Sequence, residues 1–356
     1  MEIDQILRKA VEDGASDIFV VAGLPLTFKV RGTQVRREAE GMFTPEMTRA
    51  FALGMYQLAN REPGCVLGDE TDDDFSVSIN GIGRFRVNLF RQRGSLAAVV
   101  RVIRFGIPTA EDMRIPPEVM RAANLRNGIV LVTGYAGSGK STTLACLINE
   151  INHTRSGHIL TLEDPVEYIH RHDKCIVNQR EIHCDCSSYV TALRSALRES
   201  PDVILLGEMR DRETMEVAMT AAETGQLLFS TLHTTGAAST IDRIIDAFPP
   251  GQQQQIRLQL SMVLQGVISQ QLVPDVNGNP MPVFEIMYMN LAIRNMIRES
   301  KTHQLDAAIA SGAAQGMCTM DSALLKAYTA GQITAQTALA HCTNYENMSK
   351  RLKQSV

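Results

Sequence analysis

The chain has 356 residues, 44% of them hydrophobic and 21% charged, a usage that excludes a disordered tail protein. Its length predicts two or three domains with cores that need no staples, and 35 basic against 39 acidic side chains give a net charge of −4, with no global attraction to nucleic acid or anionic lipid. Apolar residues nowhere run for about 18 positions, and seven scattered cysteines, Cys184 and Cys186 included, form no disulfide framework; both features predict a soluble cytoplasmic protein.

In chain order, residues 3–14 place Ile3, Ile6, Leu7, Ala10 and Val11 at helical spacing. Apolar runs at 17–22 and 26–30 read as strands flanking Gly23 and Pro25. Thr44 precedes Pro45, an N-cap with proline at the first helical position. Segments 74–79 and 84–90 alternate in polarity around Asn80-Gly81-Ile82-Gly83, a hairpin pattern, and a strand at 97–103 completes a small α+β domain over 1–104. Gly106, Pro108, Pro116 and Pro117 mark 105–117 as a linker. Beyond it, strands at 129–133, 159–162, 203–206 and 227–231 alternate with helices from Lys140, near 188–198 and near 214–223. That alternation predicts an α/β domain over 118–356 with a parallel sheet and crossover helices. From about 252 the chain reads as helical, apart from a short hairpin at 271–287 around Asn277-Gly278.

Residues 134–141 fit the pattern GxxxxGK[ST] through Gly134, Gly139, Lys140 and Ser141. Tyr135, Ala136, Gly137 and Ser138 lie between, and Thr142 follows. An apolar strand leads in, and a helix with Leu144, Leu147, Ile148 and Ile151 on one face leads out. Glycines let backbone N–H groups close around phosphate oxygens, and the helix N-terminus adds partial positive charge. Lys140 suits the β/γ-phosphates and the Ser141 hydroxyl suits Mg²⁺. The pattern predicts a nucleoside triphosphate site.

The strand 203–206 runs into Gly207 and Glu208; an acid there either holds Mg²⁺ or its water, or is a solvated strand end. Segment 159–165 repeats the design with Glu163, an acid suited to polarising an attacking water. His233, just past the strand 227–231, reads as a γ-phosphate contact or as a structural histidine. Arg84, Arg86, Arg91, Arg93, Arg101 and Arg104 crowd a stretch with no acid between 81 and 110. Three readings stand for them: a nucleic-acid face, an acid-paired strand face, and phosphate contact from a neighbouring subunit.

Further motifs carry a family resemblance. They include Gly14-Ala-Ser-Asp17, Gly83-Arg-Phe-Arg-Val-Asn88, Leu162-Glu-Asp-Pro-Val-Glu167, Gly207-Glu-Met-Arg-Asp211, the run from Thr224 to His233, and Thr240-Ile-Asp-Arg243. With the P-loop they make the chain resemble the PilT-type pilus-retraction ATPases of the type II/IV secretion superfamily over nearly its whole length. The resemblance implies a PAS-like N-terminal domain and a RecA-like ATPase domain, assembled as a homo-hexamer with ATP and Mg²⁺ between subunits. It implies ATP hydrolysis coupled to pilus retraction through inter-domain rotation, at the cytoplasmic face of the inner membrane. Implied partners are a PilC-like platform protein and a second PilT-like ATPase, with no direct nucleic-acid binding.

By matched position, Glu208 takes the Walker B role and shares Mg²⁺ with Ser141, Glu163 is the catalytic glutamate, and His233 is the histidine-box residue. Arg243 is a nucleotide contact, and Arg84, Arg86, Arg91 and Arg101 are candidate arginines acting across subunits. Ala292, Ile293, Arg294, Asn295, Met296, Ile297, Arg298 and Glu299 resemble the retraction signature. Their spacing alone predicts an amphipathic helix that buries Ala292, Ile293, Met296 and Ile297 and exposes Arg294, Asn295, Arg298 and Glu299 as an output surface. The sequence lacks the tetracysteine zinc insert of the assembly ATPases. It also departs from the family, with Gln226 in place of the first box histidine and Ser300 in place of the usual glycine. Two alternatives stand beside a retraction motor: an accessory nucleotide-binding subunit with weak hydrolysis, and a DNA-uptake or secretion motor of the same superfamily.

Overall fold

The computed structural model describes residues 2–30, 32–64, 72–103 and 106–354; Arg104, named above, and residue 105 of the expected linker lie outside these residues. Two compact units divide the chain, Met1–Gly106 with Glu167–Ile169, and Ile107–Val166 with His170–Val356. No helix among the described residues is long and apolar enough to cross a membrane.

The first unit holds α1 (Ile3–Glu12), α2 (Pro45–Leu58) and six strands: β1 (Ala15–Val21), β2 (Thr27–Val30), β3 (Thr33–Arg36), β4 (Asp72–Ile79), β5 (Gly83–Gln92) and β6 (Ser95–Ile103). The strands form one antiparallel sheet ordered β3-β2-β1-β6-β5-β4. Alternation builds it: Phe85, Val87 and Leu89 are buried, while Arg84, Arg86 and Asn88 lie on the other face. Ile6, Leu7, Phe51, Met55 and Tyr56 of the helices share one core with Ile18, Phe28 and Phe85. Thr44 caps α2 as its sequence predicts, accepting from Met47 N at 3.3 Å. The strand β3 has no counterpart in the sequence reading, because all four of its residues are exposed and carry no apolar alternation.

In the second unit a single turn, α3 (Pro117–Met120), precedes β7 (Gly128–Thr133), α4 (Lys140–Thr154), β8 (Gly157–Glu163), β9 (Cys175–Glu181) and α5 (Tyr189–Ala196). Then follow β10 (Val203–Leu206), α6 (Arg212–Glu223), β11 (Leu227–Leu232), α7 (Ala237–Asp246), α8 (Pro250–Val263), β12 (Leu264–Pro274) and β13 (Pro280–Tyr288). The chain ends with α9 (Leu291–Arg298), α10 (Leu305–Ser311), α11 (Met320–Thr329), α12 (Ala335–His341) and α13 (Tyr345–Gln354). The sheet order is β13-β12-β7-β11-β10-β8-β9, parallel except for β13. The expected α/β class with a parallel sheet and C-terminal helices is what the chain adopts. Residues 107–116 group with this unit, where Ile115 is buried and the Cys146 thiol donates to Pro108 O at 3.2 Å.

Two expectations for the carboxyl-terminal third need correction. The hairpin expected at 271–287 starts earlier, at Leu264, and β12 is a full member of the main sheet, parallel to β7. Ser269, Gln270 and Gln271 interrupt its apolar run and disguise a buried strand. The second correction concerns α9. Ile293 and Ile297 are buried as expected, but Ala292 is exposed and Met296 only half-buried. Arg298, expected on the exposed face, is half-buried, and so is Arg294. The Arg294 guanidinium donates to Ser261 O, to Met262 O at 3.0 Å and to Gln265 Oε1 at 3.2 Å. Those carbonyls end α8 and have no intrahelical donor, so Arg294 caps a neighbouring helix. Ser300 follows α9 at φ +60, the left-handed region in which glycine is unstrained.

These placements give two pairs of stability predictions. Ile268→Ala, at a fully buried position of β12, should lose about 2–5 kcal/mol of unfolding free energy in urea titration. Ile176→Ala, on the exposed side of β9, should lose less than about 0.5 kcal/mol. Arg294→Ala should lose about 1.5–3 kcal/mol by the same measurement, because charged donors to helix-end carbonyls are removed. Arg298→Ala should lose little, since its guanidinium donates to Asn295 of its own helix, while its backbone carbonyl, which accepts from Gln254, is unaffected.

Candidate nucleotide site

Thr133 ends β7, and the loop that follows folds over Gln270 of β12. A Cβ at Gly134 would lie 2.2 Å from Gln270 O, and one at Gly139 would lie 2.8 Å from Gln270 Nε2. Both positions therefore require glycine, and both have positive φ, +142 and +88. Gly139 is the N-cap of α4, and no side chain caps that helix, so its dipole and first amides face the loop. Lys140 is buried, its Nζ donating to Gly134 O at 2.8 Å and Tyr135 O at 2.9 Å. The buried Ser138 hydroxyl has no hydrogen-bond partner. An orphaned hydroxyl, a lysine ammonium and an uncapped helix N-terminus in a glycine cradle fit a phosphate group. Tyr135, Ala136, Gly137 and Ser141 are exposed along the loop and Thr142 is half-buried.

Acids stand at the ends of the neighbouring strands. Glu163 ends β8, its Oε1 accepting from Thr161 Oγ1 at 2.6 Å and Gln179 Nε2 at 3.3 Å. Glu208 follows β10 through Gly207, whose N–H donates to Leu162 O at 2.8 Å and whose carbonyl accepts from Thr231 Oγ1 at 2.7 Å. The Glu208 carboxylate is mostly buried, 2.6 Å from Arg210 Nε and 3.5 Å from His233 Nε2. The fold thus brings two sequence-predicted residues, Glu208 and His233, into one contact. Arg243 lies in the last turn of α7, exposed. Gln226 precedes β11 and His233 follows it, so the two are separated by the strand, roughly 20 Å at about 3.3 Å per residue. Its side chain accepts from Thr224 Oγ1 at 2.7 Å.

Three residues escape sequence reading. Gln270, 3% exposed, accepts from Thr143 Oγ1 at 2.7 Å and so holds α4 to β12. Gln179 supports Glu163 from β9. Tyr189, at the start of α5, places its hydroxyl 2.8 Å from where a Gly207 Cβ would lie. That contact explains the glycine before Glu208. Burial pushes the Tyr189 phenol up, and the charges of Asp164, Glu208 and Glu163 push it further, so it keeps its proton. The sequence signal for Gln270 was present: polar residues inside a buried apolar run need partners.

In the first unit Arg84, Arg86 and Arg101 share a sheet face, Arg86 lying directly opposite Arg101. Arg84 Nη1 donates to Ser78 Oγ at 2.9 Å, Arg86 binds Asp74 at 2.6 Å, and Arg101 binds Asp17 at 3.1 Å. Arg91 falls on the opposite parity of β5, exposed near its end.

The family described as Type II/IV secretion system protein matches residues 90–348. The type IV pilus retraction ATPase PilT of Pseudomonas aeruginosa is 44% identical over 338 residues, spanning 95% of this chain and 97% of that one. The type IV pilus ATPase PilU of the same organism is 39% identical over 354 residues, spanning 99% and 92%. A crystal structure of the pilus retraction motor PilT with bound ADP matches with a TM-score of 0.89 at 42% identity, covering 98% of this chain and 99% of that one. Alike along nearly the whole chain in both sequence and fold, this protein belongs to the type II/IV secretion system protein family, among its PilT-type pilus-retraction ATPases.

Proposed function

We propose that this protein hydrolyses ATP and couples the hydrolysis to type IV pilus retraction. The observation that carries the reading is the contact of Glu208 with His233 beside a glycine-cradled Lys140, in a chain similar throughout to retraction ATPases. Lys140 exchanges the carbonyls of Gly134 and Tyr135 for phosphate oxygens, and the loop amides complete the cradle. Ser141 and, through water, Glu208 would hold Mg²⁺, which when bound neutralises charge on the β- and γ-phosphate oxygens. Glu163 takes the proton of the attacking water, its carboxylate fixed by Thr161 and Gln179. His233 registers the γ-phosphate against Glu208, and Arg243 is a further nucleotide contact.

In this reading the first unit is the PAS-like domain and the second, which residues 107–116 join, is the RecA-like domain. ATP and ADP bind the two domain angles with different affinity, and only that difference turns hydrolysis into rotation. Six copies form a ring at the cytoplasmic face of the inner membrane, working on a PilC-like platform protein alongside a second PilT-like ATPase. Arg84, Arg86, Arg91 and Arg101 are the candidates for contacting a neighbour's nucleotide. Nucleic acid is no partner. Gln226, a strand's length from His233, has no role assigned in this reading. Residues 292–299 serve as the output segment through Arg298 and Glu299, with Arg294 holding the helix in place.

Phosphate release, nucleotide binding and molecular mass in solution test this together. Lys140→Ala should lose nucleotide binding. Glu208→Gln should keep binding and the assembled mass but lower kcat by about 10²–10⁴. Turnover by Glu208→Gln at the wild-type rate would overturn the assignment.

A further inference from the structure

Glu285 sits on β13, 6% exposed. Its two oxygens serve different helices. Oε1 accepts from Ala237 N at 2.8 Å, the first residue of α7, and Oε2 accepts from Met320 N at 3.2 Å, the first residue of α11. Directly opposite on the ladder, Ser269 of β12 accepts from Gly236 N at 2.9 Å. Opposed residues project from the same face of a sheet, so this one pair receives two successive amides, Gly236 and Ala237.

The helix α7 has no cap of its own. Its N-cap is Gly236, which has no side chain and stands at φ +86. By contrast, α11 has Thr319 as its own cap, accepting from Ser322 N at 3.3 Å. The entry to α7 therefore depends on Ser269 and Glu285. That entry lies three residues after His233, and it is tied internally. Thr234 Oγ1 meets Thr240 Oγ1 at 2.7 Å, and the Thr240 hydroxyl also lies 2.7 Å from Gly236 O. On the other side, α11 opens a separate core in which Met320, Leu324, Ile333, Met348 and Leu352 gather on Val273 and Val283 of the hairpin.

A buried carboxylate costs free energy unless it is hydrogen-bonded, and here two helix N-termini converge on one. Burial pushes the Glu285 carboxyl up, while the Ala237 and Met320 amides pull it back. Because a single group serves both helices, neither end can move by more than a fraction of an ångström without breaking a bond or dragging the other.

We propose that Glu285 is a positioning residue for hydrolysis, fixing the loop that follows His233 and locking the C-terminal helices from α11 onward to that loop. A displacement of the loop with nucleotide state is then passed to those helices by one carboxylate. The inference rests on the ATPase reading above and adds a mechanical connection to it.

Glu285→Gln keeps the side-chain size but turns one acceptor into an amide donor, so one helix end loses its partner. In the purified full chain, ATP turnover is measured together with amide hydrogen exchange at 234–240 and 319–324. We expect kcat to fall about 10- to 100-fold, as for a displaced site, with KM for ATP largely unchanged. Exchange should quicken in one segment for Glu285→Gln and in both for Glu285→Leu, which offers neither helix an acceptor. Ser269→Ala should lower kcat less and quicken exchange at 234–240 alone. Wild-type kcat in Glu285→Gln, or faster exchange confined to one segment in Glu285→Leu, overturns the proposal. If Glu285→Gln fails to fold, Ser269→Ala decides, and unchanged turnover with unchanged exchange at 234–240 sinks the positioning role. If the wild-type chain itself does not hydrolyse ATP, the functional reading fails, while the two-segment exchange response still judges the linkage through Glu285.

Discussion

Parallel register between β7, β11, β10 and β8 aligns Thr133 with Leu232, Ser230 with Leu206, and Leu206 with Leu162. Each strand is buried on both faces, so its polar chemistry is displaced to the carboxyl end, where the chain leaves the sheet. The P-loop, Glu163, Glu208 and His233 are all such exits. A one-residue slip of β10 would turn its side chains over and carry Glu208 away from His233. Such a slip would also draw Asp202 or Glu208 toward the apolar interior of the sheet, and the cost of burying either acid sets the geometry. Gly207 belongs to the same constraint. It lets the chain pass beneath the Tyr189 hydroxyl, and any Cβ there would meet both that oxygen and Leu162 O.

The hairpin of β12 and β13 brings a second layer of polar groups inside the sheet. Ser269, Gln270 and Glu285 are each at most 6% exposed, and each binds an element of the site or its border. Gln270 reaches α4, Ser269 and Glu285 reach α7, and Gln271 Oε1 lies 3.2 Å from His341 Nδ1 of α12. A buried polar side chain left unpaired costs about 1–3 kcal/mol, so these bonds specify one seating of the hairpin against the loop. Leucine in their place would allow several. The strand beside β7 thus does more than extend the sheet; it orders the loop, the helix after His233 and the terminal helices in consecutive residues.

How legible each part was depends on whether its residues are neighbours in sequence. The P-loop is eight consecutive residues whose chemistry and conformation coincide, and it reads directly. Glu163 and Glu208 read because an acid ends an apolar run. Tyr189 and Gln179 did not read, since each acquires meaning only from a partner on another strand or helix, and Gln270, though conspicuous as a polar residue in an apolar run, does not name its partner. β9 was hidden because Ile176 faces outward and Asn178, Gln179 and Arg180 break any apolar alternation. Arg294 misled for the opposite reason. Helical spacing placed it beside Arg298 on a polar face, but the end of α8 supplies carbonyls that only a long cationic side chain can reach.

The arginine stretch shows how linear and spatial charge differ. No acid occurs between residues 81 and 110, yet Asp74 reaches Arg86 from the adjacent strand and Asp17 sits opposite Arg101 across the β1–β6 ladder. Acid pairing does not by itself bar an arginine from a phosphate, since exposed pairs contribute only about 0–1 kcal/mol. The two pairs differ in burial. Arg86 and Asp74 are both substantially exposed, at 36% and 42%, so water can solvate Asp74 if Arg86 leaves. The Asp17 side chain is only 9% exposed, and removing Arg101 would leave a nearly buried carboxylate with the Ser16 hydroxyl as its remaining donor in that pair. Stranding a buried charge costs several kcal/mol, of the order of 3–5. Recruitment of Arg86 by a doubly charged phosphate oxygen cluster is therefore the cheaper exchange, and Arg101 is held where it is by the acid beneath it.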